Sequence, residues 1–457
     1  MSETVLQENK MGTAKMFPLI MKMGLPAMFS MMVQALYNIV DSYYVSSYST
    51  DALSGVSLAL PIQMLIIAFS VGTAIGTSSL VSRKLGEKQK DVASLVATHG
   101  LVLNVLTYFI FLVFSIVGTE AFIRIFETDE VIVQNGIEYL SIVSGFSIFC
   151  FIQISLEKTL QATGNMILPM IMQLVGAVLN ILLDPVFIFG FGPIPAMGST
   201  GAAIATIIGQ FAAALLAIFF ILSPKFSHEI HFGFKGFRFK KDIVKLIYIV
   251  GFPSIVMNAV GTIMLSGMNL ILTGFSSAAY TVFNLYFRLQ SFVFMPVFGL
   301  TSGLMPILGY NYGAKNKKRL LSCLKIGGLI AFVINTVGML VFLFFPTGLL
   351  GMFQPTQEIL DIGIPALQTI SMVFPLAAVS ITASTLFQAV GKGFYSLLNS
   401  VLRQLVLILP LAYFLSFVSL DALWFAYPLS ELGALAITLI YFVKLYKQKI
   451  RHLGDSV

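Results

Sequence analysis

Long, continuously apolar stretches alternate along this chain with short polar breaks. Each stretch is close to the roughly 20 residues that an α-helix needs to cross a lipid bilayer. Strands of a membrane barrel would be shorter and would alternate in polarity. The stretches cover approximately residues 16–45, 53–82, 92–117, 135–157, 166–190, 199–222, 243–273, 278–307, 320–345, 360–386, 395–416 and 422–445. The pattern therefore predicts an all-α integral membrane protein with twelve transmembrane helices.

The composition supports this prediction and excludes several classes of protein. Only 10% of the 457 residues are charged and 57% are hydrophobic, whereas roughly 25% of the residues of a soluble domain are charged. The two cysteines lie in separate apolar stretches, so a disulfide framework is excluded. We find no nucleotide-binding, haem or nucleophile–base motif, so we expect neither an enzyme nor a cofactor. The polar N-terminus precedes an apolar run without a small-residue cleavage site, so we expect no signal peptide.

Basic residues in the connections predict how the chain is oriented. Cytoplasmic loops of membrane proteins are enriched in Lys and Arg. The connections after odd-numbered helices contain only Arg124. Those after even-numbered helices contain Arg83, Lys84, Lys88, Lys90, Lys158, Lys225, Lys235, Arg238, Lys240, Lys241, Lys315, Lys317, Lys318, Arg319 and Lys392. Both termini are therefore expected in the cytoplasm, and the net charge of +7 reflects this topology, with no nucleic-acid partner expected.

The chain also contains two copies of one pattern. Gly-Leu-Pro at 24–26 returns as Gly-Phe-Pro at 251–253, and Gln-Ala-Thr-Gly at 161–164 returns as Gln-Ala-Val-Gly at 388–391, both 227 positions later. With six helices per copy the repeat is parallel, which is typical of transporters with a path between two lobes. The expected organisation is a cytoplasmic tail at 1–15, an N-lobe at 16–222, a cytoplasmic loop at 223–242, a C-lobe at 243–446 and a basic tail at 447–457.

Two aspartates lie inside predicted helices, where a charge costs about 2.5–3.5 kcal/mol on an insertion scale. Asp41 in helix 1 and Asp184 in helix 5 fall at similar depth, near the outer face. Further polar groups of helices 1, 5 and 6 share this layer, namely Gln34, Tyr37, Asn38, Asn180 and Thr206. These oxygens would suit Na⁺, and two neighbouring carboxylates would suit H⁺. Alternatively, Asp184 caps a break before Pro185 and Asp41 marks the water boundary.

The predicted C-lobe has no acid at the positions that match these aspartates. It contains Arg403 and Glu431, which we expect to pair between helices 11 and 12 and so neutralise each other. Arg288 could bind backbone carbonyls or face a cavity. Apolar and aromatic side chains such as Met31, Phe287 and Met295 could line a re-packable substrate path.

Several strings of residues resemble the multidrug and toxic compound extrusion family, particularly its branch of bacterial exporters related to the staphylococcal one. The matching strings include residues 180–189, 201–206 and 288–299, and the resemblance extends from about 16 to 446. It implies a two-lobe fold in the bacterial plasma membrane. It also implies an N-lobe cation site formed by Asp41, Asn180, Asp184 and Thr206, whose occupancy is tied to bending of helix 1. From the sequence alone, Pro26 in this helix could be the hinge of that bending or could mark a static bend.

The resemblance further implies export of lipophilic cationic drugs in exchange for H⁺ or Na⁺ by alternating access, by a protein that acts as a monomer among membrane lipids. Flippases of lipid-linked glycans share the two-lobe architecture. If Arg288 faces the transport path, it would favour an anionic group on the cargo. A flippase for an amphiphilic lipid or lipid-linked glycan therefore remains the alternative.

Overall fold

The computed structural model describes residues 9–223, 229–234 and 237–454. Ten helices are long and apolar enough to cross a membrane, and two further spans are pairs of helices bent by 46° and 48°. Spans 1–6 are Met16–Tyr48, Thr50–Gly86, Lys90–Val117, Glu130–Gly145 with Ile148–Ala162, Ile167–Ile188 and Gly198–Leu222. Spans 7–12 are Lys241–Thr273, Ser277–Gly313, Lys317–Phe344, Gln357–Ser371 with Phe374–Ala389, Gly393–Ser416 and Leu420–Ile450. The all-α fold with twelve membrane spans is confirmed.

Parts of the expected tails and of the expected inter-lobe loop, residues 1–8, 224–228, 235–236 and 455–457, lie outside the described residues. Short helices at Lys10–Thr13, Thr119–Phe126 and Pro346–Gly351 lie outside the spans. Many large apolar side chains on the spans are exposed, as expected for surfaces that face lipid.

The internal repeat is visible in the backbone. The first three spans of each half have the same lengths, 33, 37 and 28 residues. Lys88 and Lys315, which follow spans 2 and 8, have φ of 61° and 54°, and Gly164 and Gly391, which follow spans 4 and 10, have φ of 88° and 79°. Each pair is 227 positions apart. Left-handed residues of this kind end helices, so the two halves end corresponding helices with the same turns.

The chain forms two compact units. Unit 1 comprises Met1–Met28, Ser82–Gln89 and Val260–Val457, and unit 2 comprises Phe29–Val81 and Lys90–Ala259. Span 1 therefore passes from one unit to the other just after Pro26, and span 7 does so after Pro253. The boundaries expected for the two lobes stay a prediction.

Small residues allow the spans inside each unit to approach closely. In unit 2, a Cβ added to Gly72 would lie 2.8 Å from the backbone nitrogen of Ile255, and one added to Gly76 would meet the carbonyl of Ile247. In unit 1, a Cβ added to Gly303 would lie 3.0 Å from the backbone of Gly24. Close backbone packing at small residues is how membrane helices gain contact, since lipid supplies no hydrophobic drive between them.

Candidate functional site

The carboxylate of Asp184 is held inside unit 2 by neighbouring spans 5 and 6. Asp184, Asn180 and Thr206 are 0%, 2% and 5% exposed. In the amide orientation that satisfies both groups, the Asn180 nitrogen donates to Asp184 Oδ2 at 3.0 Å, and its oxygen accepts from Thr206 Oγ1 at 3.2 Å. The spans can come this close because Gly209 packs on Gly176. A Cβ added to Gly209 would lie 2.6 Å from the carbonyl oxygen of Gly176.

Span 1 brings Asp41 and Tyr37 to the same place. Tyr37 lies within hydrogen-bonding reach of Thr206 and close enough to both aspartates to interact with their charges. Asp41 Oδ1 is buried and has no hydrogen-bond partner among the described residues. The structure thus brings the predicted residues of helices 1, 5 and 6 together.

These residues border a cavity of about 470 Å³, which we call the N-half cavity. It is lined by residues of spans 1, 2, 4, 5 and 6, all within unit 2. Its walls include the predicted side chains Met31, Gln34, Tyr37, Asn38, Asp41, Asn180 and Thr206. Asp184 is not in this wall, but it is hydrogen-bonded to Asn180, which is.

The sequence analysis missed Glu157, a buried acid in the wall of the same cavity. Glu157 is 3% exposed. It accepts hydrogen bonds from the side-chain amides of Gln161 at 2.9 Å and Gln173 at 3.3 Å. The available signal was an acid in an apolar stretch. Glu157 is the last residue of the fourth stretch, however, so its position suggested the boundary between lipid and water.

Placing Lys158 in a connection between helices was wrong. Span 4 continues to Ala162, and Lys158 lies inside it and lines the N-half cavity. Its ammonium donates to Gln161 Oε1 at 2.9 Å. Polar side chains in this last part of the span bond to one another, which lets the helix continue past the end of the apolar stretch.

Phe287 and Met295 line a different cavity, which lies in unit 1 and which we call the C-half cavity. Its volume is about 310 Å³. Arg403 and Glu431 also line it and form the expected ion pair, with Arg403 Nη1 3.3 Å from Glu431 Oε2. Arg288 is exposed and lines neither cavity. Pro26 lies inside the unbroken helix of span 1.

The oxygen atoms near Asp41 and Asp184 suit a hard monovalent cation or a proton. The described residues include no group of three or more His, Cys, Asp and Glu side chains that could hold a metal ion. The structure thus places two carboxyl groups and neighbouring amide and hydroxyl groups beside a cavity.

Comparison with known proteins identifies relatives that match nearly the whole chain. The protein named multidrug export protein MepA is 27% identical over 402 residues in Staphylococcus saprophyticus, covering 86% of each chain. In Staphylococcus aureus it is 26% identical over 439 residues, covering 93% of this chain and 94% of that protein. A protein of Shewanella oneidensis named FAD transporter is 25% identical over 427 residues, covering 90% of this chain and 91% of that one.

Solved structures share the fold over the same length. An outward-facing multidrug resistance MATE family transporter of the MOP superfamily matches with a TM-score of 0.91 and 24% identity, covering 98% of this chain and 99% of that one. A MATE structure in the straight conformation matches with a TM-score of 0.90 and 25% identity, at 98% and 99% coverage.

The MatE family model matches the chain twice, at residues 26–186 and 253–414. The two matches begin 227 positions apart, since 253 minus 26 is 227, which is the spacing of the repeat. A family model that accounts for both halves, together with relatives and structures of full length, confirms the resemblance seen in the sequence. The chain belongs to the MatE family of multi-pass membrane transporters.

Proposed function

We propose that this protein exports lipophilic small molecules, mainly cations, across the bacterial plasma membrane in exchange for H⁺ or Na⁺. The observation that carries the proposal is the buried, unpartnered Oδ1 of Asp41 in the wall of the N-half cavity, beside the Asp184–Asn180–Thr206 group. The names of the MepA relatives, which describe multidrug export, support the export of small molecules.

Charge balance in the N-half cavity supports a cationic ligand. Within the described part of the chain, neither Asp41 nor Asp184 forms an ion pair. Glu157, by contrast, has Lys158 beside it in the cavity wall. The two aspartates therefore leave an excess of negative charge that a coupling ion or a cationic cargo can neutralise.

Exchange follows if both cations depend on the same carboxylates. A coupling ion that neutralises Asp41 and Asp184 removes the attraction for a cationic cargo, and a bound cargo disfavours the ion in the same way. This reciprocal coupling is what links the two binding equilibria. Alternating access then turns the competition into antiport.

The test is export of ethidium in everted membrane vesicles, where it appears as accumulation of the dye inside the vesicles, with a pH gradient and a Na⁺ gradient imposed separately. We expect one of the two gradients to drive transport and Asp41→Asn and Asp184→Asn each to abolish it, since an amide keeps the shape but cannot change charge. Asp51→Asn is the matched control, because Asp51 is an exposed acid in the first turn of span 2.

Full gradient-driven accumulation of ethidium by vesicles with either aspartate variant would contradict the proposed coupling. If the unmodified protein accumulates no dye but translocates a lipid-linked glycan in the same vesicles, the flippase function would replace drug export.

We also infer that both termini are cytoplasmic. The only basic residue expected in the outer connections, Arg124, is neutralised by Glu120 and Glu130, with nitrogen–oxygen distances of 2.9 and 2.7 Å. The other basic residues of the connections all lie on the opposite side, and this bias favours a cytoplasmic location for that side.

A further inference from the structure

The C-half cavity corresponds to the N-half cavity in the internal repeat but differs in its chemistry. Residues of spans 7, 8, 10, 11 and 12 line it, and these are the counterparts of spans 1, 2, 4, 5 and 6. The N-half cavity contains an excess of acids. Among the described residues, the charged side chains in the wall of the C-half cavity are Arg403 and Glu431, whose charges cancel.

Six aromatic side chains contribute to the wall of the C-half cavity, namely Tyr286, Phe287, Phe294, Phe298, Phe374 and Tyr427. Tyr286 contacts Phe287 and Tyr427 edge to face, with ring centroids 5.4 and 6.1 Å apart. Phe294 and Phe374 form a second edge-to-face pair at 5.1 Å. Fixed rings in this arrangement offer faces and edges to a further flat ring. The cavity volume of about 310 Å³ is at the lower end of the range for small-molecule sites, roughly 300–1,000 Å³.

The polar end of the cavity has an unmet hydrogen-bond acceptor. Glu431 is 5% exposed, and its Oε1 is buried without a hydrogen-bond partner among the described residues. Only its Oε2 accepts from Arg403, at 3.3 Å. An ionised carboxylate oxygen left unpaired in a buried site is costly. A ligand that donates a hydrogen bond to Oε1 would remove that cost.

Arg403 supplies donors beside this acceptor. It belongs to a π-helical segment, Leu402–Ile408, which also contributes Gln404 and Ile408 to the wall. Pro410 follows this segment and has no N–H to donate into the helix, a situation that π-helical turns accommodate in membrane spans. The Arg403 side chain is 25% exposed, so guanidinium N–H groups not used by Glu431 remain for a ligand.

We propose that the C-half cavity is a binding site for a flat aromatic molecule of zero net charge that carries an N–H donor next to a carbonyl acceptor. The N–H donates to Glu431 Oε1 and the carbonyl accepts from Arg403. The rings pack against Tyr286, Phe287 and Tyr427. Because the ion pair is neutral overall, the site selects by hydrogen bonding and shape. A permanent cation without an N–H group cannot donate a hydrogen bond to Glu431 and gains no net electrostatic attraction from the ion pair. This site is additional to the exchange site proposed above and needs no gradient.

The first test compares two fluorescent ligands on the purified, full-length protein in detergent. Lumiflavin is a neutral three-ring molecule whose N3–H lies between two carbonyl groups, and N3-methyl-lumiflavin lacks that donor. We expect lumiflavin to bind and methylation to weaken binding about tenfold or more, since a hydrogen bond to a charged group is lost. Equal binding of the two ligands, or no binding of lumiflavin, would overturn the proposal.

The second test fills the cavity without touching the ion pair. Gly261 lines the cavity, and a Cβ added there would meet only Gln404 Oε1, at 3.5 Å. We expect Gly261→Leu to abolish lumiflavin binding with little change in thermal stability. The matched control is Gly328→Leu in span 9 of the same unit, where an added Cβ meets only Thr382 Cγ2 at 3.7 Å and which does not line the cavity.

A third variant keeps the proposal testable should Gly261→Leu fail to fold. The double variant Arg403→Met, Glu431→Met removes both charges together and so leaves no buried charge unpaired. We expect it to bind lumiflavin and its N3-methyl analogue equally weakly. Retained discrimination between the two ligands in this variant, or unchanged lumiflavin binding in folded Gly261→Leu, would show that the ligand binds elsewhere.

Discussion

Four carboxyl groups at or beside the two cavities are accommodated in different ways. Glu157 accepts from two glutamine amides, Asp184 from an asparagine amide, and Glu431 from an arginine, whereas Asp41 Oδ1 has no partner in the described part of the chain. The partner determines what each carboxyl group can do. An arginine partner already balances the charge of a carboxylate, while a carboxylate without a basic partner can have its charge balanced by a bound cation.

The Arg403–Glu431 pair predicts opposite effects for single and double substitutions. Arg403→Met removes the one hydrogen-bond donor that the buried Glu431 carboxylate has among the described residues, and breaking a buried pair in this way costs about 3–5 kcal/mol. The double variant with methionine at both positions should regain most of that stability. Thermal unfolding of the purified proteins in detergent measures the stability of the single and the double variant. A double variant less stable than Arg403→Met would contradict this account.

At this scale the sequence identifies groups whose chemistry conflicts with their surroundings. Asp41 and Asp184 could be predicted because each is an acid within an apolar stretch. Their common depth followed from the distance of each aspartate from the start of its own outward-running helix. Glu157 could not, because it lies where apolar character ends and hydrogen bonds from Gln161 and Gln173 extend the helix beyond that point. Nor could the sequence assign Met31 and Phe287 to separate cavities, since packing decides which side of a helix faces inward.

Among the secondary-structure elements, spans 4 and 10 depart most from straight helices. They are bent by 46° and 48° at corresponding breaks, residues 146–147 and 372–373. Helix positions were predictable from the apolar stretches, and the repeat was predictable from short motifs. The bends were not, because apolar residues continue through each break and the hydrophobic pattern is unchanged there. The π-helical segment of span 11 is hidden for the same reason.

Close packing of span 2 against the first part of span 7 predicts a strong effect of one added methyl group. Gly76→Ala would place a Cβ against the backbone of Ile247 and 2.9 Å from the backbone nitrogen of Gly251. Backbone atoms cannot move aside as a flexible side chain does, so we expect destabilisation of about 1–3 kcal/mol. Gly328→Ala, which meets only a side-chain methyl group at 3.7 Å, is the control. Thermal unfolding in detergent compares the stability of the two variants. Equal stability would mean that spans 2 and 7 separate readily at this contact.

For the whole molecule, the inferred topology predicts which sites a membrane-impermeant reagent reaches. Ser47 and Gln89 are both exposed, one at the end of span 1 and the other after span 2. Because these positions are one membrane crossing apart, we expect Ser47→Cys to be labelled by a maleimide from outside intact cells and Gln89→Cys only in everted vesicles. The native Cys150 and Cys323 are buried and should give little background. Reversed labelling would place both termini outside.

The division of spans 1 and 7 between the compact units has a consequence for biosynthesis. Gly72 and Gly76 of unit 2 pack against residues 247–255, so that unit is incomplete until the ribosome has delivered the seventh span. Conversely, Gly24 and Met28 of unit 1 pack against Gly303 and Gly299. The first helix inserted into the membrane must therefore wait for its partners until more than half of the chain has been made. Neither half of the repeat can finish folding on its own as it leaves the translocation machinery, although each looks like a self-contained domain in the sequence.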